Sequence, residues 1–402
     1  MAVNDMTFEQ SATMLNALVE QATGAKPAIE VTDTGTFTTV AQTLLRTGYD
    51  PVLSALSQVL GRTIFAVRPY TQRFRGIDVD SERWAAHTRK VNFVSSQLED
   101  DERLKSLGDP AEIMKDGESV DMYKIKKPKV LQTNFYGQTE YQNHVTLFRD
   151  QLDAAFRNAE EFGAFGSGVM QTIKDDLTQV RENEARSAIV NFATGKSWLD
   201  PANVINVLQE YKNETGVTLT PANMYADTNY MPFIKWLYAF INTLTDRMAE
   251  RTTKYHKNVA NLPIRRHTPP DRMKAYMYNG VLNKIDSAVL SSVFNEEKLK
   301  MIDFEAVAFW QNIDEPTKML AKPTAMKEDG TLQHSGSNRA LDNVLGILFD
   351  EDAIGITTKS TWMDRSPFNS AGGYSNLYWH HRQVVWNDFT ENGVVLIAAA
   401  TS

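Results

Sequence analysis

Cysteine is absent from all 402 residues. That excludes disulfides, thiolate zinc sites and cysteine nucleophiles, leaves packing and hydrogen bonds to hold the fold, and suits assembly in a reducing cytoplasm. Also missing is any apolar run approaching the roughly 18 residues that a membrane span needs. The opening "MAVNDMTFEQ" lacks the basic start and apolar stretch of a signal peptide. A soluble protein without membrane contact is expected. Positive charge is in short supply too: 42 Lys and Arg against 50 Asp and Glu leave a net charge of -8. Neutralising phosphates needs a surplus of Lys and Arg on one face, so contact with nucleic acid would be local and weak.

The familiar signatures of catalysis are missing as well. No Lys-Ser or Lys-Thr follows the glycines of "GAFGSG" (residues 163–168), which reads as a hinge before a helix and not as a phosphate cradle. "ATGKS" (residues 193–197) closes a helix, with Gly195 expected as its C-cap. The "GSG" at Gly166 lacks the spacing of a serine nucleophile elbow. Asp175 and Asp176 lie on the polar face of a helix, and "RRHTPPDR" (residues 265–272), a basic loop that could meet phosphate or acidic neighbours, reads as a solvated turn. "NLYWHHRQVVW" (residues 376–386) is rich in β-formers and is followed by "VVLIAAA", which predicts two strands with a turn at Glu391 to Gly393. Successive side chains on a strand face opposite ways, so His380 and His381 cannot share one ion. His87, His144, His256, His267 and His334 are scattered without metal-binding spacing. No catalytic, cofactor-binding or metal-ligating residue is assigned.

What is present is a strongly ordered succession of textures. Thr7 with Gln10, Thr36, and Asp50 with Pro51 each signal a helix start, with stops at Gly24, Gly48 and Gly61. These three short helices have too few apolar residues for a core of their own and read as an arm packed on something else. From Arg62 to Gln142 the chain turns to short β-forming stretches separated by charge: an outgoing β arm, "RTIFAVRPYTQRFRGIDV", with Arg68, Arg73 and Arg75; an acidic tip; and a return with Lys124, Lys126, Lys127 and Lys129. After a short amphipathic helix, apolar positions recur at Val169, Ile173, Leu177, Val180, Ala188 and Phe192. This predicts a spine helix over 167–194, on the order of 40 Å long at about 1.5 Å per residue. Asp200 with Pro201 and Thr220 with Pro221 are further helix starts, and an aromatic helix is expected from about Pro232. "MKAYMY", "FEAVAFW" and "VLGILFD" read as strands and "VLNKIDSAVLSSVF" as a helix, with a turn at "KEDGT", giving a mixed α/β body.

This order, carried by "GRTIFAVRP", "TNFYGQTEYQNHVTLFRDQLDAAF", "LFDEDAIGI" and "GGYSNLYWHHRQVVW", resembles the major capsid proteins of tailed double-stranded-DNA bacteriophages, those of small Bacillus podophages above all. The resemblance implies an α+β Hong Kong 97-type fold. It implies an N-terminal arm (1–61), an extended loop overlapping a neighbouring subunit (62–142), a peripheral domain with the spine helix (143–200 and 351–375) and an axial domain (201–350 and 376–402). It further implies self-assembly as pentamers and hexamers into an icosahedral shell around the DNA genome, with scaffolding and portal proteins as partners. A chain beginning at Met1 fits a shell whose scaffold is a separate protein. By the same resemblance the protein is no enzyme, is built in the bacterial host cytoplasm and ends in the virion. Two rivals are an encapsulin-like bacterial compartment shell and an α/β enzyme whose charged excursion is a lid.

Overall fold

Thr7 sets the start of the first element. Its hydroxyl accepts the Gln10 amide and the Gln10 side chain accepts the Thr7 amide, at 3.3 and 3.0 Å. Two orphan donors of helix α1 (Phe8–Thr23) are thereby satisfied reciprocally, and Gly24 ends the helix in the left-handed conformation, φ 70°. The computed structural model describes residues 7–25, 31–46, 48–62, 74–79, 88–94, 117, 119, 122–123, 125, 129–135, 139–157, 159–258, 264–290, 304–326 and 332–401. Helix α2 (Thr34–Arg46) begins two residues before the expected Thr36, because Asp33 is the cap: its Oδ1 accepts the Thr36 amide at 2.8 Å. Helix α3 (Tyr49–Arg62) follows at once.

The expected lack of a core in this region is corrected. Leu15, Leu18, Phe37, Leu53 and Leu56 are fully buried, and they form one cluster with Leu147, Leu152, Phe156, Phe162 and Leu377 of the same chain. The three helices pack on one another and on the elements that follow the excursion.

A 3-10 turn, Arg75–Ile77, leads into β1 (Asp78–Val79). Next come β2 (Thr88–Val94), β3 (Lys129–Phe135), β4 (Thr139–Phe148), α4 (Arg149–Ala155) and α5 (Ala159–Leu199). The chain continues through β5 (Val204–Asn206), α6 (Val207–Thr215), α7 (Asp227–Ala249), β6 (Met273–Tyr278), α8 (Asn279–Leu290) and β7 (Phe304–Val307). Two small antiparallel pairs, one enclosing the other, are made from β8 (Met319–Ala321) with β11 (Arg339–Leu341) and β9 (Thr324–Met326) with β10 (Leu332–His334). The last strands are β12 (Val344–Asp350), β13 (Ile354–Arg365), β14 (Tyr374–Asn387) and β15 (Gly393–Ile397).

The spine helix is longer than its periodicity announces. α5 has 41 residues, about 60 Å at 1.5 Å each, and it includes "GAFGSG", which is therefore helix and not hinge. Glycine costs a helix about 1 kcal/mol per residue relative to alanine. Tertiary packing offsets this: Phe162 is buried against Phe37 and Phe156, with ring centroids 6.0 and 5.0 Å apart. Gly195 is likewise inside the helix and does not cap it. Smaller corrections have similar causes. Pro232 falls within α7, whose cap is Ala226. Thr220 and Pro221 open only a turn, in which Thr220 and Asn223 exchange side-chain bonds. Asp200 with Pro201 opens a three-residue 3-10 helix.

Two sheets take opposite ends of the spine. In the five-stranded sheet, order β5-β15-β12-β6-β7, every residue of β12 is buried, as an unbroken apolar run on a centrally placed strand requires. Helices α6, α7 and α8 cover one face through Leu208, Phe233, Leu237, Ile241 and Val281. The C-terminal half of α5 covers the other through Ala185, Ile189 and Phe192, against Tyr276, Ile347, Phe349 and Val395. The four-stranded sheet, order β1-β13-β14-β4, is antiparallel except for the short parallel pairing of β1 with β13.

The fifth sheet is the root of the excursion. β2 and β3 pair antiparallel from Thr88↔Phe135 to Val94↔Lys129. Of the expected outgoing stretch, residues 63–73 lie outside the described residues, and Asp78 and Val79 join the four-stranded sheet as β1. Arg68, Arg73, Lys124, Lys126, Lys127, His87 and the "KEDGT" turn lie outside the described residues, Arg75 opens the 3-10 turn and Lys129 opens β3. Among the described residues no helix is long and apolar enough to cross a membrane.

Candidate functional site

The histidine pair separates as strand alternation demands. His381 is 2% exposed and lies on the α5 side of β14, where Arg181 Nε donates to its Nε2 at 3.4 Å and the Gln383 side-chain amide lies at 3.1 Å. Burial and the Arg181 charge hold its pKa below the ordinary histidine value. His380 faces the other way, its ring stacked on Trp362 at 4.8 Å and its Nδ1 3.8 Å from Glu140. Along that outer face Tyr378 stacks on His144, Tyr374 packs against Phe148, and Arg382 lies 4.7 Å over Trp362 while bonding Glu140 at 2.9 Å. The result is a half-exposed ladder of rings with balanced charge. Among the described residues no group of three His, Asp or Glu is placed to hold a metal ion.

Between α5 and the inner face of the same sheet runs a polar seam. Arg181 Nη2 donates to Thr358 Oγ1 at 3.0 Å, and the Tyr141 hydroxyl donates to Glu184 Oε1. The second carboxylate oxygen of Glu184 is buried with no hydrogen-bond partner among the described residues. Burial pushes the Glu184 pKa up to about 7. One turn on, Arg186 is paired with Glu182 at 2.6 Å and lies 3.9 Å over the Phe309 ring.

The densest arrangement of charge lies where the root of the β2–β3 hairpin meets the turn between β14 and β15. Lys90 Nζ lies 2.5 Å from Glu391 Oε1 and 3.1 Å from Asp388 Oδ2, and it donates to the Asp352 carbonyl at 3.3 Å. Arg266 reaches the same Glu391 oxygen at 2.8 Å and donates to the Thr390 carbonyl at 2.8 Å. Lys196, at the end of the spine helix and fully buried, bonds Asp200 at 3.2 Å and the Tyr255 carbonyl at 3.3 Å. Three cations thus meet three carboxylates, Asp388, Glu391 and Asp200. Burial pushes the Glu391 pKa up despite Lys90 and Arg266, and pulls the Lys196 pKa down despite Asp200, Asp388 and Glu391.

A second layer backs this cluster. His256 has Asn392 Oδ1 at 3.1 Å and the Ile264 carbonyl at 2.7 Å, Asn392 Nδ2 donates to Thr268, and Thr268 donates to Asp350 at 2.8 Å. Burial works against the Arg272 charge, but Asp352, Asp350 and Glu351 outweigh it and hold its pKa up. The stretch 265–272 is therefore no solvated turn. Its Arg266, Thr268 and Arg272 are all engaged, with Glu391, Asp350 and Asp352, far away in the sequence. No local pattern in the sequence points to such pairings, because ion pairs between distant segments leave no periodicity.

Farther along the excursion, Met122, Tyr123 and Ile125 are 81%, 81% and 83% exposed. Three large apolar side chains left in water so close together mark a surface built for contact.

The family model described as Phi29-like phage major capsid protein matches residues 15–397. Among solved structures, the capsid structure of Staphylococcus phage Andhra is 11% identical, with 84% of this chain and 87% of that chain covered and a TM-score of 0.53. The structure of head fiber and inner core protein gp22 of native bacteriophage P68 contains a chain 10% identical, with the same shares covered and a TM-score of 0.52. At such identities the likeness is one of fold. No curated protein matches the chain.

Proposed function

The chain belongs to the family of Phi29-like phage major capsid proteins, and on that premise we propose how its parts build the shell. Its fold is the Hong Kong 97-type, and it is a structural protein of the virion, present in many copies in the head. We assign those copies to pentamers and hexamers of an icosahedral shell around the DNA genome, with no catalytic role.

In that assembly residues 1–62 and the four-stranded sheet with the first part of α5 form the peripheral unit, and the five-stranded sheet with α6, α7 and α8 the axial unit. We put the division in the turn at 388–392, which keeps β14 whole within the four-stranded sheet. Likewise the extended loop ends before Thr139, since β4 belongs to that sheet. The loop lies across a neighbouring copy. The observation that supports this most directly is the exposure of Met122, Tyr123 and Ile125, which a lone subunit leaves in water. Scaffolding and portal proteins are the further partners, assembly takes place in the host cytoplasm, and contact with packaged DNA is weak, as a net charge of -8 favours.

Light scattering and electron imaging of the purified chain test the proposal. Megadalton shells or hexameric rings are expected, and a stable monomer or dimer would overturn it.

A further inference from the structure

Two described side chains on one face of the extended hairpin meet the rest of the chain. Thr88 is opposite Phe135 and Lys90 is opposite Thr133, so Lys90 on one strand and Phe135 on the other project to the same side. Phe135 stacks on Trp386 at 4.8 Å, with Val384 completing a small apolar cluster. Lys90 enters the charge cluster beside it. Val91 and Val130, on the opposite face, are 41% and 50% exposed. Among the described side chains, one ring and one ammonium tie the root to β14 and the turn that follows it.

These two anchors differ in kind. A stacked ring tolerates sliding and rotation, because dispersion and burial have little directionality. An ammonium between Glu391, Asp388 and the Asp352 carbonyl is fixed by two ion pairs and one hydrogen bond from two segments. The charge count sharpens the point. Without Lys90, Arg266 and Lys196 alone would face Asp388, Glu391 and Asp200, and the Asp388 and Glu391 side chains are only 2% and 7% exposed. A buried carboxylate stripped of its partner is strongly unfavourable. The body of the subunit therefore carries an incomplete charge site that one residue of the hairpin completes.

We propose that Lys90 is the positioning residue that sets the angle of the extended hairpin within a single subunit, before any neighbour arrives. The arm is presented in its binding orientation, with the Val91 and Val130 face outward, so less order has to be created when two copies meet. This consequence for assembly rests on the shell reading above, but the positioning itself does not.

The test is hydrogen exchange of the full chain, unassembled, in the parent and in Lys90→Met, Lys90→Met with Asp388→Asn, and Glu391→Gln. Lys90→Met is expected to speed exchange across 88–94 and 129–135 by roughly tenfold or more while leaving 344–350 unchanged, the signature of local opening. Adding Asp388→Asn restores the charge balance and reverses most of that gain. A merely structural role for Lys90 predicts the reverse, with the second substitution adding damage. Parent-like exchange at the root in Lys90→Met, an equal rise at 344–350, or no reversal by Asp388→Asn would overturn the proposal. If Lys90→Met yields no folded protein, Glu391→Gln decides on the same scale: faster exchange at the root supports the proposal and unchanged exchange sinks it. Shell formation by the parent is scored separately, so failure of the shell reading is distinguishable from failure of the latch.

Discussion

Gly195 of the spine helix lies directly beneath the ring of Phe389, which stacks face to face on Phe192 at 5.5 Å. A Cβ on Gly195 would overlap that ring. The glycine is there for close approach, and the ring it admits belongs to the turn that carries Asp388 and Glu391.

Gly195→Ala is therefore expected to destabilise the chain. Alanine is better than glycine in a helix by about 1 kcal/mol, but overpacking a filled site costs about 1–3 kcal/mol, and the ring is stacked on Phe192, which resists its displacement. A net loss of roughly 1–2 kcal/mol should appear as a lower denaturation midpoint. In a Phe389→Ala background the same substitution should become neutral or favourable. An unchanged midpoint in the parent would mean that the ring yields freely.

The N-terminal helices should prove integral to the subunit. Phe37 is fully buried against Phe162, so Phe37→Ala should cost about 3–5 kcal/mol in chemical denaturation. Removing residues 1–62 uncovers Leu152, Phe156, Phe162 and Leu377, and the shortened chain should aggregate in light scattering. A well-behaved truncated subunit would show that these helices are an appendage after all.

Glu184 sets one pH slope. Its pKa rises from the ordinary 4.5 to about 7 in the folded chain through burial, so the native state holds a proton that the unfolded state releases. Its effect on stability is therefore most favourable below about pH 4.5, declines as pH rises towards about 7, and stays level above. Glu184→Gln should abolish that decline and raise the melting temperature at pH 8 relative to the parent. The size will be less than the shift alone implies, because the group is only half-buried.

His256 sets the opposite slope. Burial holds its pKa below the ordinary 6.5, so its contribution is present above that value and is lost as pH falls through the lowered one. His256→Gln should shallow the acid-side loss while costing about 1–3 kcal/mol at neutral pH through unsatisfied partners at Ile264 and Asn392. Because the two slopes oppose each other, melting curves of the single variants across pH 4 to 8 are needed to see either.

Local signals were the legible ones. The capping box at Thr7, the strand at 344–350 and the opposed faces of His380 and His381 depend on neighbours a few positions apart, and each could be read directly. The ends of the spine helix could not. Glycines at 163, 166 and 168 argue against helix locally, and the burial of Phe162 against Phe156 and the distant Phe37 outweighs them. The root cluster was invisible for the same reason, since Lys90, Arg266 and Glu391 carry no shared pattern along the chain.

Composition, periodicity and the order of textures were enough to exclude disulfide and thiolate chemistry and to set out helices, arm and spine, because those properties arise from each residue and its immediate neighbours. Tertiary structure alone decided that Lys90 is pinned, which glycine admits a ring, and that the first helices share a core with the four-stranded sheet. Charge pairing and close packing act through space, where residues 90 and 391 are 2.5 Å apart and the linear order of the chain counts for nothing.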